Sequence, residues 1–369
     1  MKSQFILRSL FLLFSTTILF VSCNDDETDT GGDDGVTPTE TDFTDLLTNQ
    51  IEEVIIPKMI NYRDEMIALN TAVEGFTSSI DEANLTTLRT AYTEAYLAYQ
   101  AVAVHNYFTT ANQNLVNTTN LYPIEVELLT EFIENESFLF NSSNQIRANG
   151  FPALDYLLYG QDNVVDFFTE DVKRINFLRE LVSSMLVKSE AILTGWTGDL
   201  RTVFVESGGT GLGSSISVQL NESLIYYEDH IRENKVGIPI GIAGPESTPF
   251  EADATKIEAY YQSLADGNED FTLSLLRTAI EEMENIYLGI TSADEDGQGY
   301  DDLISLRDQS VDEDIKSQFE AIYDGIDNRS SISGDRTLYD EVQELVSLYK
   351  TDLLPLLNVQ DADGSNDGD

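Results

Sequence analysis

The chain has 369 residues, 66 of them Asp or Glu and 20 Lys or Arg, for a formal charge of −46 at pH 7. A field of that sign excludes nucleic acid and anionic lipid surfaces as partners, and leaves cations, cationic ligands and basic protein surfaces. The single cysteine excludes an internal disulfide.

Lys2 and Arg8 precede an apolar run from Leu10 to Val21, which ends in Ser22 and Cys23. A basic start, an apolar stretch too short to span a bilayer as a helix, and a small residue before the cut make a signal peptide. A lone cysteine at that point looks like a lipoprotein signal. Residues 1–22 are therefore read as a lipoprotein signal peptide, and Cys23 as the lipidated residue anchoring the chain to the outer membrane, on its periplasmic or cell-surface side. Residues 23–45 contain no Lys or Arg and are dominated by Asp, Glu, Thr and Gly. Such a stretch cannot bury enough apolar surface to order itself and reads as an acidic flexible tether. Its opening Asn-Asp-Asp-Glu resembles the surface-export signals of some lipoproteins, and a plain spacer fits equally.

From there helical periodicity dominates and strand alternation is scarce, so the fold class is all-α. Residues 44–66 carry a stripe of Leu47, Ile51, Val54 and Ile55, with Pro57 expected to kink or interrupt it. Residues 81–108 repeat Leu85, Leu88, Tyr92, Tyr96, Tyr99 and Val102 every three or four positions. A helix over 124–133 follows Pro123. Residues 171–196 carry Ile175, Leu178, Val182, Met185 and Ile192, ending at the only Trp. The glycine-rich stretch 207–213 lacks the spacing and lysine of a phosphate loop, so it reads as a connector to a helix over 214–234. Residues 235–245, cut by Gly and Pro, read as an apolar loop packed on the body. Helices over 255–264, 271–288, 300–306, 311–326 and 336–357 complete the body, and 358–369 form an acidic tail.

The segment Gly150-Phe-Pro-Ala-Leu-Asp-Tyr-Leu-Leu-Tyr-Gly160 organises the rest. Pro152 suits a first helical position, and Gly160 suits a left-handed closing residue. Phe151, Leu154 and Leu158 share an apolar stripe with Asp155. A carboxylate on an inward face needs a partner: backbone amides at a helix start, a cation or a metal. Asp155 is the leading metal candidate, against capping of amides or pairing with Arg147 or Lys173. Glu125, at a helix start after Tyr-Pro-Ile, is the second metal candidate. A hard divalent cation is the cofactor class such oxygen ligands would take.

Catalytic patterns are missing from the sequence. The only histidines, His105 and His230, lie far apart and neither belongs to a His-Glu-x-x-His pair. No Gly-x-Ser-x-Gly turn appears, and the sole cysteine belongs to the anchor. His105 reads as a satisfied core histidine, and Tyr92, Tyr96 and Tyr99 as core. Glu222, Tyr226, Asp229 and Glu233, with His230 beside them, read as a solvated helix face. The acidic stretches 294–299 and 361–369 resemble the start of a calcium loop without its closing glutamate, and read as loops.

Gly150-Phe-Pro-Ala-Leu-Asp-Tyr-Leu-Leu resembles the signature segment of the imelysin-like family, bacterial envelope proteins once described as peptidases and linked to iron uptake. That family's motif is Gly-x-His-x-x-Glu: Gly150 keeps the glycine, Pro152 stands at the histidine position and Asp155 at the glutamate position. Further family-like strings follow in order: Asn120-Leu-Tyr-Pro-Ile-Glu125, Lys235-Val-Gly-Ile-Pro-Ile-Gly241, Ile257-Glu-Ala-Tyr-Tyr261, Gly299-Tyr-Asp-Asp-Leu303 and Lys350-Thr-Asp-Leu353. The resemblance implies an imelysin-like helical domain over 46–357, in two packed helical-bundle halves of about 46–200 and 201–357, with the motif helix near their junction. It implies a role in iron uptake, as a non-enzymatic cation- or iron-binding protein or as an accessory component beside neighbouring envelope proteins. A helical protein-interaction module without a metal site is the alternative, and a peptidase the weaker one.

Overall fold

The computed structural model describes residues 43–362, apart from 108–113, 139, 141–145, 243–251, 294, 333 and 335. The signal peptide, Cys23, nearly all of the tether, most of the glycine- and proline-cut 235–245 segment's end and the last seven residues lie outside the described residues. Among the described residues there is no strand, in agreement with the all-α reading.

Helix α1 (Thr44–Asn49) passes through a wide π-helical segment, Gln50–Ile55, into α2 (Ile56–Ser78). Asp81 then caps α3 (Glu82–Ala103) by accepting the Asn84 N–H. The short α4 (Leu115–Thr119) and α5 (Val126–Asn135) lead to α6 (Gly150–Tyr159), the organising helix, and α7 (Val164–Glu170). Asp171 caps the long α8 (Val172–Thr197), which is followed by α9 (Asp199–Glu206). After the glycine-rich connector come α10 (Ser215–Tyr226) and a second π-helical segment, Tyr227–Gly237. The chain closes with α11 (Tyr260–Asp266), α12 (Asp270–Leu288), α13 (Tyr300–Ser305), α14 (Gln309–Asp327), α15 (Thr337–Leu348), a third π-helical segment at Tyr349–Leu353, and α16 (Leu354–Leu356). Helices α2, α3 and α8 pack together, α12 lies on α3, and α14 pairs with α15. One apolar core extends from Phe43 to Val359.

Several expectations are corrected. Each π-helical segment stops two residues before a proline: Pro57, Pro239 and Pro355. A proline has no N–H and its ring crowds the carbonyl four residues back. The chain answers by lengthening the ladder, so the residue before each proline donates five back: Ile56 to Ile51, Ile238 to Glu233, and Leu354 to Tyr349. The Glu53 carbonyl, which Pro57 cannot bond, accepts the Ser292 N–H at 3.0 Å. Pro57 therefore widens its helix without breaking it, and Lys235 lies in a helical turn, not in a loop. The helix expected over 255–264 starts only at Tyr260, because Ala259 takes the left-handed conformation at φ 50°. Pro152 occupies the third position of α6 instead of the first. Gly150, at φ 71°, is the glycine that needs its freedom, and a Cβ there would fall on the Thr119 carbonyl. Gly160 is not left-handed (φ −83°); a Cβ on it would meet the Tyr156 carbonyl and the Tyr156 and Tyr261 rings.

Candidate functional site

The aromatic side of α3 builds the floor of the site. Tyr96 stacks on Phe151 of α6 with ring centres 4.3 Å apart and planes 3° from parallel, joining the two helices. Beyond Tyr96 the packing turns polar. Lys235, from the widened helix, forms a buried ion pair with Glu258 and donates to Gln100 Oε1 at 2.9 Å. The Gln100 amide donates to Glu258 Oε1 at 3.2 Å, and the Asn120 amide donates to the same oxygen at 2.5 Å. Tyr96 O–H donates to Asn120 Oδ1 at 2.5 Å. Burial lowers the Lys235 ammonium from its ordinary value, with Glu258 opposing the shift. Two buried charges persist because they are paired with each other and each makes a further hydrogen bond to a side-chain amide group.

Asp155 holds this arrangement from one side. It is 2% exposed, and its carboxylate accepts the Tyr261 N–H at 2.8 Å and the Gln262 N–H at 2.9 Å. These amides belong to the first turn of α11, just after Glu258 and the left-handed Ala259. Thr272 Oγ1 donates to the Glu258 carbonyl at 2.7 Å, fastening the same turn to α12. Burial pushes the Asp155 carboxyl up to about 7, against the pull of the two amides. Of the partners expected for Asp155, the structure supplies backbone amides. Glu125 is half exposed beside the Arg147 guanidinium, at 3.3 Å, and does not line the cavity that Asp155 borders. Among the described residues no three His, Cys, Asp or Glu side chains gather as a metal ion would require. The donor set at the motif, a proline and an amide-bound carboxylate, does not fit an iron site.

A cavity of about 290 Å³ opens above the Lys235–Glu258 pair, walled by Tyr99, Val116, Tyr122, Tyr226, His230 and Ile238. A second, of about 280 Å³, contains Pro152 and Asp155 in its lining; Tyr122 and Pro123 line both. Burial and the Lys235 charge pull the His230 imidazole down to about 4, so it is neutral at pH 7. His105 is fully buried between Glu282 (2.7 Å) and the Tyr107 hydroxyl (3.0 Å), as a core histidine. Glu222 and Asp229 are exposed, but Tyr226 is buried and Glu233 and His230 are only partly exposed, so the face expected to be solvated is so only at Glu222 and Asp229.

Sequence reasoning named Asp155 but missed Lys235, Glu258, Gln100 and Asn120. A signal was present: Asn120, Lys235 and Glu258 each belong to one of the recurring strings, and a lysine and a glutamate set in apolar runs are candidates for each other.

The fold and this centre define an all-helical protein with an internal charge pair under a small cavity. The family model for imelysin, peptidase M75, matches residues 55–346, and the chain belongs to the imelysin family. Two solved structures share the fold. An iron-regulated protein A precursor from Parabacteroides distasonis superposes with a TM-score of 0.69 at 16% identity, over 89% of this chain and 98% of that one. An imelysin-like protein from Psychrobacter arcticum gives 0.62 at 15% identity, over 86% and 96%. A comparison with curated proteins finds no match.

Proposed function

We infer that the protein is a non-enzymatic, lipid-anchored envelope component of iron uptake, acting as an accessory that binds a ligand rather than as a holder of bare iron. The family and the iron-regulated character of one structural relative support the iron connection. The observation that carries the accessory reading is the state of the motif. Pro152 offers no donor, and Asp155 commits both oxygens to amides of α11, so the motif supports the fold beside an intact cavity. The proposed attachment is Cys23, just after the apolar run of the signal peptide.

The test is calorimetric titration of residues 23–369, produced without lipid, with ferrous, ferric, calcium and zinc ions, beside Asp155→Asn. The accessory reading expects weak, unselective binding that is the same in both proteins. Micromolar or tighter binding of one ion, lost on substitution, sinks it in favour of direct cation binding at Asp155.

A further inference from the structure

We propose that the cavity above the Lys235–Glu258 pair is a binding site for a small organic carboxylate. This rests on the ligand-binding reading above and assigns the class of ligand.

The first argument is charge. In a chain with more than three acidic residues for each basic one, this cavity is lined by Arg147, Lys235 and Lys256 against a single carboxylate, Glu258. That carboxylate faces inward and is saturated by Lys235, Gln100 and Asn120, so it has little to offer a cation. Arg147 and Lys256 sit at the mouth, each 40% exposed or more, in ion pairs of 3.3 and 3.7 Å with Glu125 and Asp253. Exposed pairs of this kind contribute little and are readily exchanged for another anion.

The second argument is the supply of donors. Lys235 has three N–H groups and spends two, on Glu258 and Gln100. Asn234 Nδ2 lies 3.2 Å from His230 Nδ1 and donates to it, so the neutral ring carries its proton on Nε2. That leaves an N–H donor on a residue that lines the cavity. The Tyr122 hydroxyl is shielded from solvent and has no hydrogen-bond partner among the described residues. Buried polar atoms without partners are rare, and this one lines a cavity. Three donors gathered around a carboxylate that is already saturated favour an oxyanion.

The third argument is shape. Tyr99, Val116, Tyr226 and Ile238 give the cavity apolar walls, which suit a carbon skeleton better than a free inorganic ion. Its volume of about 290 Å³ is at the small end for ligand sites.

The experiment measures binding of succinate, citrate and benzoate to residues 23–369, with succinamide, benzamide, sulfate and phosphate as controls. At least one carboxylate should bind about tenfold or more tighter than its amide, and tighter than either inorganic ion. Tyr122→Phe and Arg147→Gln should each weaken that binding about fivefold while the melting temperature without ligand stays unchanged. A carboxylate that binds no better than its amide, or binds both variants as it binds wild type, overturns the proposal. Equal binding of sulfate or phosphate overturns the assignment to organic carboxylates. Iron uptake is measured separately in cells lacking the protein. Carboxylate binding without an uptake defect sinks the iron role alone, and an uptake defect without carboxylate binding sinks this site alone.

Discussion

Asp155→Asn changes one atom in the most constrained part of the molecule, and its effect should depend on pH with a defined sign. The native carboxyl is raised by burial to about 7 from an ordinary value of 3.8. Between those values the unfolded chain has released the proton and the native chain retains it. The native state therefore loses ground as pH rises through the window, and the loss stops above it. Asparagine has the shape of the protonated acid and does not titrate. Only the part of the window above pH 5 is accessible in practice, because the chain approaches its isoelectric point near 4.1. Two pH units amount to about 3 kcal/mol, so from pH 5 to pH 8 the variant should gain about that much stability relative to wild type. Urea unfolding of the two proteins at pH 5, 6, 7 and 8 measures it, and every other titrating group cancels in the difference. His230→Gln supplies a control of opposite sign. There the native pKa of about 4 lies below the ordinary 6.5, so wild type gains on the variant as pH rises, by at most about 2 kcal/mol above pH 5. If Asp155→Asn instead destabilises by a constant amount across the range, the native carboxylate is charged throughout. Its two N–H···O bonds would then outweigh burial, and the reasoning fails.

Other substitutions probe the same centre. Glu258→Gln leaves the buried Lys235 ammonium without its counter-charge and should cost about 3–5 kcal/mol in chemical denaturation; adding Lys235→Met should recover much of that, because a neutral pair has no charge to strand. Failure of the second change to recover any stability would mean that packing, not charge, sets the cost. Gly150→Ala combines a left-handed φ of 71° with a Cβ placed on the Thr119 carbonyl, and should cost about 3 kcal/mol or more. Gly160→Ala, at an ordinary φ but crowding the Tyr156 carbonyl as well as two tyrosine rings, should cost less, about 1–3 kcal/mol; equal melting temperatures for the two variants would contradict this ranking.

The helices were legible because apolar residues at every third or fourth position state a helix directly, as in Leu85, Leu88, Tyr92, Tyr96 and Tyr99, all of which are buried. Caps were legible where Asp81 and Asp171 precede such runs. The prolines were visible but ambiguous. Pro57 and Pro239 each suggest a break and Pro355 lies inside the helix read over 336–357, whereas at all three the packing keeps the helix and stretches its ladder. The short helices α4, α7 and α9 have too few turns to show a period. Tyr260 as the start of α11 depends on a left-handed alanine, for which the sequence has no marker. The site itself was half legible. Asp155 stood out because a carboxylate on an apolar stripe demands a partner, but the identity of that partner depended on a helix 106 residues away. Lys235 and Glu258 meet across 23 residues and two different elements, so no local pattern links them.

Asp155 stands at the glutamate position of the motif and spends its acidic group on backbone amides. A carboxylate there can face a ligand or a helix start, and both are satisfied by the same pair of acceptor lone pairs. With histidine at position 152, an oxygen ligand would have a nitrogen partner one turn away on α6. With Pro152 it has none, and the carboxylate is left with the first-turn amides of α11, whose positive end suits it. Those amides follow Glu258 by three and four residues, and Ala259 between them is in a conformation that costs about 1–2 kcal/mol for a residue with a Cβ. A turn of that kind holds only when its neighbours determine it. Asp155 on one side and Thr272 on the other do so, and the result is Glu258 aimed back into the body against Lys235. The acidic residue of the motif thereby acts on the cavity at one remove: it fixes the turn that fixes the charge pair beneath the cavity.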